Sequence, residues 1–248
     1  MNYKLSVKNI SKSYKNKDNE TLAIKNISFD LKEGEIIAII GTSGCGKSTL
    51  LNIISGLDKA TSGSCTFDKE NPIISYMLQS DALLPWLNVL DNACLGLELT
   101  HKKNTENIEY VRKLLKEYGL EDFLKKMPTS LSGGMRQRVA LIRSLAIKPD
   151  ILLLDEPFSA LDYYTRVKIA GDVYKILKKT NTSTIIITHD IAEALSIADR
   201  IIVLSNRPSA VKKMYDINFN ENDILKKRTL PRFNELYEHI WRDLDEAL

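Results

Sequence analysis

The chain opens with two stretches in which apolar and polar residues alternate, YKLSVKNISKSY (3–14) and TLAIKNISFDL (21–31), separated by the polar break KNKDNE. A period of two marks a strand with one buried face, so the pair predicts two antiparallel strands. EIIAIIG (35–41) does not alternate. It is a continuous β-branched run ending in glycine, as expected of a strand covered on both faces. DILLLDEP (150–157) and STIIITHD (183–190) have the same character. Helix-period segments lie between these three runs, which predicts a parallel sheet with crossover helices.

Residues 104–127 carry Ile108, Val111, Leu114, Leu115 and Tyr118 at helical spacing, with Gly119 as a stop. The whole stretch 79–149 reads as an all-helical insert. After residue 206 come a turn, NRPS, a mixed polar segment, and a last helix with Phe233, Leu236, Tyr237, Ile240, Trp241 and Leu244 on one face. The expected fold is therefore α/β: a mainly parallel sheet, an N-terminal antiparallel β subdomain and an inserted helical subdomain. Residues 1–248 form one domain, with 1–78 and 150–206 as its core, 79–149 as the insert and 207–248 as a C-terminal extension.

Composition narrows the function. At 248 residues, 44% hydrophobic and 27% charged, the chain can bury a sizeable core, and a formal charge of +3 is too small to imply a nucleic-acid partner. No apolar run approaches the ~20 residues of a membrane helix, and MNYKLSVKNISKSYKN lacks the apolar centre of a signal peptide, so a cytosolic location is expected. Cys45, Cys65 and Cys94 are odd in number and form no C-x-x-C pair, which points to reduced thiols rather than zinc or disulfides.

GTSGCGKS (41–48) matches G-x-x-x-x-G-K-[ST], with a buried strand before it and the helical pattern TLLNIISGL after it. Its glycines let successive backbone N–H groups turn onto phosphate oxygens; Lys47 adds a point charge and Ser48 offers a hydroxyl to Mg²⁺. The core is thus read as a P-loop NTPase. Asp155 ends a buried strand, where α/β sheets bind ligands, and suits the Mg²⁺. Glu156 then suits a base that orients water against the γ-phosphate; capping the next turn is its alternative role. His189, at the tip of STIIITHD, is placed for a γ-phosphate contact. LSGGMRQR (131–138) poses a separate question, because a glycine pair at a helix start is costly to order.

LSGGM (131–135) before LLLDEP resembles the signature pairing of the ATP-binding subunits of ABC transporters, a likeness that runs from residue 4 to 210. The resemblance implies that two subunits close head to tail. Ser132, Gly133 and Gly134 of one then cap the ATP held by Gly41, Thr42, Ser43, Gly44, Cys45, Gly46, Lys47, Ser48 and Thr49 of the other. It also implies that Tyr14 stacks on adenine and that Gln79 touches Mg²⁺ and carries motion to the membrane partner. SALD (159–162), with Asp162, crosses the dimer interface, and His189 is the switch histidine. Plainer roles stand beside these: Tyr14 as a strand-edge aromatic, Gln79 as a solvated loop residue, Asp162 as a helix cap. Two departures are visible. Met135 stands where the family has glutamine, and Gly63–Gln79 is short, so the antiparallel sheet is expected to lack a strand or two.

With no spanning helix of its own, such a chain is expected to drive a separate permease while peripheral on the inner membrane face. LQSDALLPWLNVLDNA (78–93) suits a docking surface, unless Trp86 packs within the helical lobe. LLPWLNV, LSGGMRQRV and NRPS resemble the nitrate, sulfonate and taurine import branch, which adds an extracytoplasmic solute-binding protein; importers of pyrimidine-type vitamin precursors are similar. The rival readings are an ABC ATPase acting on nucleic acid or ribosomes and a hydrolysis-dead module. The first lacks its heptads or second phosphate loop here, and intact Glu156 and His189 oppose the second. Cys45 inside the loop predicts that a thiol reagent blocks the ATPase and that ATP protects.

Overall fold

A computed structural model of the protein describes residues 3–15, 19–159, 161–221 and 223–245. Residues 16–18 of the polar break and Ala160 of SALD lie outside the described residues. Strands β1 (Tyr3–Lys15) and β2 (Glu20–Lys32) pair antiparallel, and Leu5, Val7, Ile10, Ile24, Ile27 and Leu31 supply their buried face. The alternation slips between Val7 and Ile10, at a register shift. Asn9 takes up the extra residue with a left-handed φ of 52°, a conformation asparagine tolerates better than most residues.

Strand β3 (Ile36–Ile40) has every residue buried and leads into α1 (Lys47–Ile54). Strand β4 (Ser62–Phe67) returns to β1 and completes a three-stranded antiparallel sheet in the order β2-β1-β4, while β5 (Ile74–Met77) joins a second, larger sheet. The short Gly63–Gln79 stretch is thus divided between the two sheets. Three helices follow: α2 (Val89–Leu99), α3 (Thr105–Glu117) and α4 (Gly133–Ala146). Asn104 caps α3 by accepting from Asn107 N, and Gly119, at φ 70°, ends it.

The chain then alternates through β6 (Ile151–Asp155), α5 (Tyr163–Thr180), β7 (Ser183–Ile187), α6 (Ile191–Ile197) and β8 (Arg200–Leu204). The large sheet runs β5-β6-β7-β3-β8-β9, parallel except for the antiparallel β9 (Val211–Asp216) at its edge. Since β6, β7 and β3 are parallel neighbours, their carboxyl ends emerge side by side. That edge is where open α/β sheets hold ligands.

The helical insert shares its core with the rest. Val89, Val111, Leu115, Val139 and Ile142 pack in one cluster with Leu152, Leu154, Ile169 and Val173 of β6 and α5. Sequence periodicity misses two elements of the polar stretch after residue 206, β9 and the short helix α7 (Ile224–Lys227). It also overextends the apolar face of α8 (Pro231–Asp245). Phe233 and Ile240 are buried, but Trp241 is 56% exposed and stacks on Tyr237. A residue eight positions past Phe233 has rotated to the margin of a one-sided contact.

Candidate functional site

The loop from β3 to α1 bends through two left-handed glycines, Gly44 at φ 75° and Gly46 at φ 115°, the latter standing at the N-cap of α1. Such angles strain any residue with a Cβ. Gly41 is needed for a different reason, since a Cβ there would stand 2.8 Å from Cys45 Sγ. Lys47 is 6% exposed and folds back on its own loop, with Nζ donating to Gly41 O at 2.8 Å and Thr42 O at 3.0 Å. Its third contact is the Cys45 sulfur at 3.9 Å, so the buried ammonium is held by neutral groups, and an anion entering the loop gains from it. Ser43, Gly44 and Ser48 are exposed at the same end.

Tyr14 reaches this helix start from β1. Its hydroxyl lies 3.4 Å from Thr49 Oγ1 and 3.3 Å from Asp58 Oδ2, and its ring, 41% exposed, has Lys12 Nζ 5.0 Å from the centroid. The ring is therefore anchored at its polar tip and open to a stacking partner. Cys45 points the other way: it is 1% exposed, and burial pushes its thiol pKa up against the opposing pull of Lys47. The thiol block expected from sequence is revised on that ground, because a buried, protonated thiol reacts slowly.

At the end of β6, Asp155 is 9% exposed and Oδ2 accepts from the Tyr76 hydroxyl at 3.2 Å. The phenol stays protonated because burial, and then the Asp155 carboxylate, raises its pKa. Tyr76 is a contact that sequence reasoning missed; its only signal is its place on β5, in register opposite Leu153. Glu156 follows with φ 45°, a left-handed conformation that costs a non-glycine residue on the order of 1–3 kcal/mol. Its N–H donates to Ile187 O at 2.9 Å, and Ser159 Oγ donates to its carbonyl at 3.1 Å. Two groups converge on its carboxylate: His189 Nδ1 at 3.2 Å and Gln79 Nε2 at 3.3 Å from Oε2. The side chain thus faces Gln79 and His189 across the ends of three elements.

Ser132 caps α4, its Oγ accepting from Met135 N at 3.3 Å, and the side chain is exposed with its hydroxyl proton still available. The two following glycines have different surroundings. A Cβ on Gly133 would meet Leu161 Cδ2 at 3.6 Å, an ordinary contact, whereas one on Gly134 would stand 2.6 Å from Ile169 Cδ1 and 3.0 Å from Thr165 Cγ2. Gly134 is buried because α4 crosses α5 there. No hydrogen bond among the described residues joins Ser132, Gly133 or Gly134 to residues 41–49. Asp162 caps α5, with Oδ1 accepting from Thr165 N at 3.0 Å, and hydrogen bonding from Thr165 lowers its pKa. This is the helix-cap role foreseen for it, and its side chain remains exposed.

Sequence also missed the ties behind Gln79. Arg136, one turn into α4, pairs with Asp81 at 2.9 Å, and Arg143 donates to Asp81 O and Ala82 O. Fully buried Asn92 accepts from Leu84 N at 2.8 Å and donates to Leu84 O and Leu87 O. Trp86, between them, is 69% exposed, so it does not pack within the helical lobe.

The donors near the phosphate loop are hard oxygens: the Ser48 hydroxyl, the Asp155 carboxylate and the Gln79 amide. Among the described residues no group of three or more His, Cys, Asp or Glu is arranged to hold a metal ion by itself. This set fits Mg²⁺, which keeps waters and phosphate oxygens and takes few protein ligands, and it does not fit a metal caged by protein.

The chain is similar to several known proteins. Residues 24–159 match the sequence model of the family described as ABC transporter. The chain is 40% identical over 223 residues to the nitrate transport protein NasD of Klebsiella oxytoca, covering 86% of this chain and 85% of that one. It is 40% identical over 258 residues to the taurine import ATP-binding protein TauB of Ruegeria pomeroyi, covering 98% and 96%. Among solved structures, the dimeric post-hydrolysis state of the ATP-binding cassette MJ0796, bound to ADP and Pi, aligns at a TM-score of 0.71 and 32% identity, over 87% of this chain and 99% of that one. Since the family match spans more than half of the chain and these relatives align over most of it, the chain belongs to the ABC transporter family as an ATP-binding subunit that hydrolyses ATP.

Proposed function

We propose that the chain powers the import of a small anion, of the nitrate, sulfonate or taurine kind, through a separate permease. It acts as a homodimer peripheral on the cytoplasmic face of the membrane, with an extracytoplasmic solute-binding protein delivering the solute. The named importers among its relatives support the anion, and the dimeric cassette structures support the pairing. Among the described residues no helix is long and apolar enough to cross a membrane. Trp86 and Leu78, 69% and 49% exposed on a loop pinned by Asn92, are offered as the surface for that permease.

The observation that carries the hydrolytic mechanism is the convergence of His189 and Gln79 on the carboxylate of Glu156. ATP enters the loop at residues 41–49, where the ammonium of Lys47 exchanges carbonyl oxygens for phosphate and Tyr14 stacks on adenine. Ser48, Asp155 and Gln79 would hold Mg²⁺, which when bound neutralises phosphate charge. Ser132 and Gly133 of a second copy donate to the γ-phosphate from the α4 N-terminus, because their own chain leaves them apart from its loop. Glu156 takes the proton of the attacking water, and His189 holds the γ-phosphate. The division into core (1–78, 150–206), helical subdomain (79–149) and extension (207–248) belongs to the same proposal. The helical part carries Gln79 and Ser132, so its movement on the core assembles the site.

The test is Glu156→Gln. Hydrolysis should fall by about 10²–10⁴-fold, the range for loss of a general base, while ATP binding persists and ATP drives the variant into a dimer in sedimentation. Full ATPase activity in this variant would assign the base elsewhere.

A further inference from the structure

Arg166 stands in the first turn of α5, four residues past Asp162, and its side chain joins two segments that the sequence keeps well apart. One arm of the guanidinium, NH2, donates to Leu161 O at 3.0 Å, inside SALD. The other, NH1, reaches Asp190 Oδ2 at 3.4 Å. Asp190 directly follows His189 and is itself fixed: its N–H donates to Thr188 Oγ1 at 3.1 Å, and Oδ1 caps α6 by accepting from Glu193 N at 3.0 Å. The guanidinium therefore spans from a carbonyl in SALD to the residue beside His189, whose ring lies 3.2 Å from Glu156.

The same side chain has a second place to go. Arg166 Nε and Glu193 Oε1 are both buried and both without a hydrogen-bond partner. The guanidinium favours ionisation of Glu193 across this space, as does Arg228, while burial and Asp190 oppose it. A buried charged donor without an acceptor is costly, and Glu193, whose carboxyl burial keeps largely protonated, still offers an acceptor oxygen. The 3.4 Å contact to Asp190 is long for a charge-assisted bond, so the guanidinium can be drawn from the Asp190 carboxylate toward the open oxygen of Glu193. A side chain with two such arrangements is an element whose balance two sites can bias.

We propose that Arg166 is a positioning residue that transmits movement of SALD to His189 and so makes hydrolysis depend on closure of the two-chain site. Arrival of a second copy against residues 159–162 shifts Leu161 O, the guanidinium follows, and Asp190 turns the histidine beside it. ATP affinity does not depend on this link, because Lys47 and Tyr14 lie on other elements. The inference rests on the roles proposed above for Glu156 and His189.

The experiment compares single-turnover ATP hydrolysis and ATP affinity in wild type, Arg166→Gln, Arg166→Lys, Asp190→Asn, His189→Ala and the double variant Arg166→Gln/His189→Ala. Arg166→Gln should lower the hydrolysis rate about tenfold with ATP affinity unchanged within about twofold. Arg166→Lys, keeping the charge but reaching only one of the two segments, should restore part of that rate. The double variant should be no slower than His189→Ala alone, since the arginine acts only through the histidine. Should Arg166→Gln fail to fold, Arg166→Lys and Asp190→Asn must show the same split between rate and affinity. A wild-type rate in these variants while His189→Ala is impaired overturns the coupling alone, as do multiplicative effects in the double variant. A wild-type rate in His189→Ala overturns the reading of the site as well.

Discussion

Replacing Gly134 by alanine puts a methyl carbon 2.6 Å from Ile169 Cδ1 and 3.0 Å from Thr165 Cγ2, where carbons in contact normally stand about 3.5–4.0 Å apart. The Ile169 methyl is the far end of a side chain and can rotate, but the Thr165 methyl sits on a stiff β-branched χ1. Relief must come partly from separating α4 and α5. Overpacking of this kind costs about 1–3 kcal/mol, and the better helix propensity of alanine offsets up to about 1 kcal/mol. The net loss is about 1 kcal/mol, or a fall in Tm of about 2–4 °C for a chain of this size. Gly133→Ala, whose new methyl meets only Leu161 at 3.6 Å and Arg136 at 3.9 Å, should leave stability unchanged and, if the proposed role of Gly133 holds, lower hydrolysis by crowding the γ-phosphate. Urea unfolding followed by circular dichroism reads the difference as a shift in midpoint at constant slope. Ile169→Val removes the nearest clashing carbon; alone it costs about 0.5–1.5 kcal/mol, and together with Gly134→Ala it should cost less than the sum. If Gly134→Ala unfolds at the wild-type midpoint, or if the two substitutions simply add, helix crossing is not the reason for that glycine.

Glu193 is 3% exposed, and its pKa is pushed up to about 8, first by burial and then by Asp190, with Arg166 and Arg228 pulling the other way. Between its ordinary value of 4.5 and about 8 the unfolded chain has released a proton that the folded chain keeps, so this group lowers stability as pH rises, by up to about 1.4 kcal/mol per unit, and levels off above. Glu193→Gln should therefore be more stable than wild type at pH 8 and converge with it toward pH 4.5; parallel Tm profiles for the two proteins would rule this out. Cys45 should resist maleimide at pH 7 while the protein is folded and react once urea exposes it, as read by mass spectrometry. Rapid labelling of folded protein that ATP prevents would restore the sequence-based expectation.

The alternating and continuous apolar runs were enough to mark β1, β2, β3, β6 and β7 as strands, because burial on one face or two leaves a pattern on the residues themselves, whereas the sheet order β6-β7-β3 came from the structure. GTSGCGKS likewise marked its turn locally, since Gly44 and Gly46 take left-handed angles that strain any other residue, whereas LSGGMRQR took its meaning from a family resemblance. Other features had no local mark. Tyr76, Arg136 and Arg166 look like ordinary strand and helix residues until strand pairing and helix crossing bring Asp155, Asp81 and Asp190 to them. The exposure of Trp86 could not be told from burial, because the decision rests with Asn92 and the loop it pins. The two glycines of LSGGM are identical as letters. Only the crossing of α4 over Thr165 and Ile169 makes Gly134 a packing residue and leaves Gly133 facing outward, since whether a missing Cβ matters depends on what the tertiary structure has placed where it would stand.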